Sequence, residues 1–357
     1  MPETEDRLPN IRGLRFDEVL ARVRAHPSRL KTGGLPDCLY RAIHRERHVS
    51  AASSPLIGWP KREIVRSLFD DRRLELVERR VAGDLNARQV WRLADDRLVE
   101  SVLLWHHDLW TVCVSSQAGC PLACRFCATG MLGLQRNLEA WEIVDQVLQT
   151  GREGGVRVSD VVFMGMGEPL LNEEEVYRAA AVLSDARGCQ ISPRRITIST
   201  SGIIPAIHRF IDERRPYRLV FSLTSADPVK RGELMPVQKT NPFEELIDAI
   251  RRYERHRGGR HVTLEYVAIK NRTMGDDDIE AIRKHLRGFN FILNVIPMNA
   301  VGNELESPTM EEVRDWTQKL RPLGFPIKVR YSGAQEELGG CGQLGKSLMD
   351  RGMARAR

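Results

Sequence analysis

Three cysteines fall within eight residues of this chain, in the run Cys120-Pro121-Leu122-Ala123-Cys124-Arg125-Phe126-Cys127. The spacing is Cys-x3-Cys-x2-Cys. Three such thiolates can hold three irons of a [4Fe–4S] cluster and leave the fourth iron open, where a small molecule can bind and receive an electron. Structural zinc prefers four protein ligands, often as two separated pairs, and no second Cys or His pair lies near this run. Zinc, or a trio of buried unliganded thiols, is the competing reading. Phe126 can shield a cluster or simply pack. A second candidate is Gly165-Met166-Gly167-Glu168-Pro169, where small residues admit a ligand close to the backbone and a carboxylate accepts from an ammonium or hydroxyl. Alone, such a turn is more often only a turn. Ser199, Ser222, Leu223, Thr224 and Asn299 also end β-rich runs, and each alone reads equally as a cap or loop residue.

Seven cysteines stand at 38, 113, 120, 124, 127, 189 and 341. An odd number, with no apolar leader at the start, argues against a structural disulfide framework. Cys113 reads by itself as a small hydrophobe in a strand, and Cys38 and Cys189 as packing thiols. Cys341 differs. It lies in Gly339-Gly340-Cys341-Gly342-Gln343-Leu344-Gly345, a glycine-rich segment suited to close approach and able to deliver sulfur into a site.

The elements that would position these groups follow from periodicity. Strands are expected at Thr111–Ser116, Asp160–Met164, Arg195–Ser199, Arg218–Leu223, Val262–Ile269, Phe291–Pro297 and Ile327–Tyr331. Helices are expected at 139–150, 173–187, 203–214, 242–256, 276–287 and 310–321. This alternation predicts a parallel sheet of about six units, open or barrel-like, with chemistry at the C-terminal strand ends. Residues 89–104 predict a hairpin around Ala94-Asp95-Asp96-Arg97. The preceding region is Arg-rich and predicts helices at Phe16–Val23 and Lys61–Phe69.

The 357 residues are 42% hydrophobic and 29% charged, a balance that supports a packed core. No apolar run approaches the length of a membrane span, so a soluble cytoplasmic protein is expected, without membrane association. The net charge of +6 is uneven. Residues 1–100 carry 20 basic and 16 acidic side chains, and residues 341–357 carry 4 and 1, around a near-neutral centre. Basic flanks on a neutral body fit contact with a polyanion, or a solvated surface.

The triplet within a β/α chain resembles the radical S-adenosylmethionine (SAM) enzymes. With Cys113, Cys341 and the blocks Ser-Ser-Gln-x-Gly-Cys, Gly-Met-Gly-Glu-Pro-Leu and Cys-Gly-Gln-Leu in order, residues 89–345 resemble the radical SAM rRNA adenine methyltransferases of the RlmN/Cfr type. The resemblance implies a partial (β/α)6 barrel with an N-terminal α-helical accessory domain and a β-hairpin. Its divisions would be 1–88 accessory and RNA-contacting, 89–105 hairpin, 106–333 core, and 334–357 a C-terminal segment carrying the reactive cysteine. It implies a [4Fe–4S] cluster on Cys120, Cys124 and Cys127, and SAM, two per turnover, contacted by Gly167, Glu168, Ser199, Ser222, Leu223, Thr224 and Asn299.

The implied reaction methylates carbon 2 of an adenosine in 23S rRNA, with tRNA as a further candidate. Cys341 would carry the methyl group as S-methylcysteine, Cys113 would resolve the adduct by forming a disulfide, and Glu100 would accept the ring proton. RNA, and an electron donor such as flavodoxin, would be the partners of a monomeric enzyme. Arg41, His44, Arg45, Arg47, His48, Lys61 and Arg62 form the expected RNA surface. The same machinery at carbon 8 or on another substrate, or a non-catalytic metal-containing RNA-binding module, are the alternatives. The chain departs from the family at Thr224, where a histidine is usual, and at Gly339-Gly340, where two alanines are usual. The glycines predict a looser loop.

Overall fold

The structure is a computed structural model that describes residues 8–28, 33–48 and 50–350. Four strands, β1 (Glu75–Val81), β2 (Ala87–Arg92), β3 (Leu98–His106) and β4 (Leu109–Cys113), run as an antiparallel meander. The expected hairpin is therefore the middle of a larger unit. Its burial pattern explains why β1 escaped the sequence reading. β2 and the first six residues of β3 are almost wholly buried, whereas β1 is exposed or half-buried throughout and carries the charged residues Glu75, Glu78, Arg79 and Arg80.

The short strands β5 (Gln117–Gly119) and β6 (Leu134–Asn137) pair as a separate ribbon. Between them runs the cysteine loop. Gly119 closes its base at φ +80°, and a Cβ there would stand 1.8 Å from the Gly133 carbonyl oxygen. No other residue type fits that approach.

The remaining strands are β7 (Asp160–Phe163), β8 (Ile196–Thr200), β9 (Arg218–Ser222), β10 (Val262–Ala268), β11 (Phe291–Pro297) and β12 (Ile327–Val329). They continue from β4 in the order β4-β7-β8-β9-β10-β11-β12, all parallel. The intervening helices fall within three residues of the ends that periodicity predicts, apart from single short turns. A strand order that never reverses, joined by right-handed crossovers, puts the helices on one face and leaves the other for ligand. The sheet stays open, because β12 pairs with β11 alone, so the predicted partial barrel is what forms.

The N-terminal region joins the same apolar cluster as the sheet, from Ile11 and Val19 through to Leu344 and Leu348. Arg12 is buried against Asp145 at 2.9 Å and Asp71 at 2.7 Å, and Gly13 lies against the backbone of Trp141. This packing corrects one expectation. His44 is 1% exposed, with its ring 4.3 Å from that of Tyr40, and cannot face RNA. Its helical turn presents Arg41 and Arg45 outward and tucks His44 under. Arg47 is half-buried and donates to the Val156 carbonyl at 2.5 Å.

Candidate active site

The cysteine loop leaves the ribbon at Cys120, whose N–H donates to the Gly133 carbonyl at 3.1 Å. It turns at Ala123, in the left-handed region at φ +53°, and the Cys127 N–H donates to the Cys124 carbonyl. Gly130 then packs against the Cys124 backbone, where a Cβ would approach to 2.9 Å. All three thiols line one cavity at the C-terminal ends of the parallel strands.

Burial, opposed by the Leu122 N–H and reinforced by Cys127, pushes the Cys120 thiol up to about 12. Burial raises Cys124 well above its ordinary value, with Cys127 and Cys120 adding like-charge repulsion. Burial raises Cys127 as well. Crowded, desolvated thiols of this kind ionise against a cation, which is what an iron–sulfur cluster supplies. Among the described residues, no group of three or more His, Cys, Asp and Glu converges on a single-ion site. A cluster is held at separate corners, so its ligands need not converge as those of one zinc ion must. The residues present fit a [4Fe–4S] cluster on Cys120, Cys124 and Cys127.

The same cavity gathers most of the other expected residues. Gly167, at φ +104°, passes so close to Gln117 that a Cβ would stand 2.6 Å from its Cβ. The Glu168 carboxylate accepts the N–H of Ser201 at 2.8 Å and of Leu170 at 3.0 Å, while burial raises its pKa against those bonds. Ser199 and Ser222, 3.2 Å apart, both donate to Glu265, at 3.0 and 3.2 Å. Thr224 is fully buried at φ +68°, and its hydroxyl has no hydrogen-bond partner among the described residues. A β-branched residue there is strained by about 1–3 kcal/mol. An orphaned hydroxyl on the cavity wall fits a ligand that completes its bonding. Leu223 differs, since its side chain enters the apolar core and its carbonyl accepts from Arg231.

Cys341 stands between this cavity and an open cleft along the inner face of the sheet, where Cys113 also lies. Burial, then the neighbouring Cys341, pushes Cys113 up to about 12, with Arg330 opposing. The Arg330 guanidinium is 3.9 Å from Glu265 and donates to the Met164 sulfur at 3.6 Å. All seven cysteines are free thiols in this structure. Asn299 donates to the Cys341 carbonyl at 2.9 Å and to Ser332 Oγ at 3.0 Å, so it grips the Cys341 segment as well as lining the cavity. The glycines before Cys341 tighten this loop. A Cβ on Gly340 would stand 2.7 Å from Gln343 Oε1 and 2.8 Å from Asn299 Nδ2. The looser loop expected from Gly339-Gly340 is not what forms, because the missing methyl groups let the backbone pack closer.

Glu100 lies outside the cavity. It is fully buried, 2.6 Å from Arg88, and accepts the Gly345 N–H at 2.8 Å and the Ser347 hydroxyl at 2.5 Å. The sequence reading missed Arg88, Arg231, Glu265 and Arg330. Only Glu265 left a signal, a lone carboxylate within the β-rich run Val262–Ala268.

The comparisons agree with this geometry. Residues 114–286 match the Radical SAM superfamily. A protein from Myxococcus xanthus named as a probable RNA methyltransferase is 43% identical over 273 residues, 76% of this chain and 76% of that protein. One from Heliobacterium modesticaldum, named as a probable dual-specificity RNA methyltransferase RlmN, is 42% identical over 74% of this chain and 71% of its own length. The crystal structure of a radical SAM methyltransferase from Sphaerobacter thermophilus superposes with a TM-score of 0.88 at 34% identity, covering 95% of this chain and 99% of that one. Together with the cysteine loop and the open parallel sheet, these matches establish that the chain belongs to the RlmN-type family of radical SAM RNA methyltransferases.

Proposed function

We propose that this enzyme methylates carbon 2 of an adenosine in 23S rRNA, with tRNA as a second substrate, through S-methylcysteine at Cys341. The observation that carries the reading is the approach of two thiols, Cys113 and Cys341, on one cleft beside the cysteine trio. Carbon 2 of adenine is not nucleophilic, so direct polar methyl transfer does not reach it. When bound, the cluster and SAM supply one-electron chemistry that can take hydrogen from a methyl group.

The protein's own groups do the rest. Cys341 accepts a methyl group as a nucleophile, its backbone fixed by Asn299 and Ser332. Arg330 faces both thiols, and its charge opposes the burial that raises Cys113. The methylene radical left on the Cys341 sulfur bonds to the adenine carbon, and the adduct then loses one electron and the ring proton. Cys113 next attacks the linking sulfur: the S–S bond to Cys341 forms as the C–S bond breaks, its electron pair passes to the base, which takes up a proton to give the methyl group, and two electrons from the donor reopen the disulfide. Two SAM molecules are consumed per turnover, one for the methyl group and one for the hydrogen abstraction. Glu100 accepts the ring proton, which requires the Gly345–Ser347 turn to lift from its carboxylate.

The target base must leave its stack, which is easiest in a loop or bulge. Tyr331, exposed on the cleft wall, offers it a ring face. Arg41 and Arg45 belong to the proposed RNA surface of the 1–88 region. No helix among the described residues is long and apolar enough to cross a membrane. A cytoplasmic monomer served by a donor such as flavodoxin completes the proposal.

Mass mapping of methyl groups on RNA from cells with and without the protein tests it. Loss of 2-methyladenosine from 23S rRNA supports the reading. Loss of a carbon-8 methyl group, or unchanged RNA, overturns it.

A further inference from the structure

Arg231 is fully buried, and among the described residues its guanidinium meets no carboxylate. Nη2 donates to the Ser201 carbonyl at 2.7 Å, Nε to the Leu223 carbonyl at 3.1 Å, and Nη1 to Gln238 Oε1 at 3.1 Å. All three acceptors are neutral. A buried cation is ordinarily paired, because desolvating it costs several kcal/mol, about as much as a paired ion recovers. Here the compensation comes only from dipoles.

Its helix, Pro228–Leu234, packs on the cysteine loop. The Arg125 N–H donates to the Leu234 carbonyl at 3.0 Å, and Cys124 and Phe126 pack against the apolar cluster that contains Leu234 and Met235. Arg231 lies near enough to Cys124 for their charges to interact. Ser201 has a second link to the site, since its N–H binds Glu168 while its carbonyl binds Arg231.

We infer that Arg231 is a positioning residue with an electrostatic task. It ties the strand ends after β8 and β9 together and holds an uncompensated positive charge beside the Cys124 corner of the cluster, which makes the cluster easier to reduce. Net charge and local polarity set the potentials of such clusters, and a desolvated charge acts strongly at short range. The step concerned adds one electron from a one-electron reductant, with no bond made or broken and no proton moved.

The inference rests on the cluster being held by the cysteine trio. Its test is a dithionite titration of the anaerobically reconstituted full chain, followed by electron paramagnetic resonance without SAM. Arg231→Gln should shift the midpoint to more negative values, by a tenfold or greater loss in the reduction equilibrium, which is 59 mV for one electron. Arg231→Lys keeps the charge and should stay near wild type. Gln238→Glu leaves Arg231 in place and puts a carboxylate against Nη1. It should shift the midpoint the same way, and keeps the test available where Arg231→Gln does not load iron. An unchanged midpoint in an iron-loaded Gln238→Glu or Arg231→Gln protein overturns the inference. A wild-type chain that takes up no iron would overturn the cluster reading instead.

Discussion

Arg88 and Glu100 form an ion pair at 2.6 Å in which both side chains are 1% exposed, and together they hold the segment that carries Cys341. Arg88 Nε donates to the Glu337 carbonyl at 2.6 Å, before the cysteine, and Nη1 to Ser347 Oγ at 2.9 Å, after it. Glu100 takes the Gly345 N–H between them. Arg88→Met leaves a buried carboxylate unpaired, which costs about 3–5 kcal/mol. Denaturant unfolding should show that loss, and iodoacetamide should alkylate Cys341 faster. Glu100→Gln breaks the same pair and turns an NH2 group towards one of the donors the carboxylate accepts, so it should also speed alkylation, while RNA methylation slows. Equal alkylation in wild type and Arg88→Met would show that the pair does not seat the segment.

The two thiols of the cleft have separable tasks. Cys341→Ala should abolish S-methylation of the protein, read by peptide mass, and methylated RNA from that variant would refute the carrier role. Cys113→Ala should accumulate a covalent protein–RNA adduct on denaturing gels. Free product at the normal rate would exclude its resolving role.

Gly340 tests the tight seat of the loop. Gly340→Ala drives a methyl group into Asn299 and Gln343, and overpacking of this kind costs about 1–3 kcal/mol. The variant should melt lower and methylate Cys341 more slowly. Unchanged melting and methylation would mean the loop has room to spare.

His44 makes stability sensitive to acid. Burial, then the Arg12 charge, lowers its pKa to about 3, below the unfolded value near 6.5. Its contribution is intact above pH 6.5. Below that the unfolded chain binds a proton the folded one refuses, so stability falls as pH drops toward 3. From pH 7 to 5 the wild type should lose about 2 kcal/mol relative to His44→Leu, by denaturant unfolding at each pH. A pH-independent difference would contradict the buried neutral imidazole.

The sheet was legible because its signals are local. Runs such as Phe291–Pro297 are apolar on both faces, as buried parallel strands must be, and the cysteine spacing lies within one loop. The missing parts depend on distant contacts. Arg231 and Arg88 look in sequence like any surface arginine, and only the fold carries them under the strand ends. His44 read as part of a basic surface because it lies between Arg41 and Arg45, while helical geometry turns it inward. The tight Gly339-Gly340 backbone could not be told from a loose one until Asn299, some forty residues earlier, was seen to lean on it.

Iron and acid-labile sulfide analysis of the anaerobically reconstituted chain, with product analysis after reduction in the presence of SAM, tests the central claim most directly. The account predicts brown protein with about four irons and four sulfides per chain, and 5′-deoxyadenosine that disappears when Cys120, Cys124 or Cys127 is replaced by alanine. A colourless zinc protein that leaves SAM intact would contradict it.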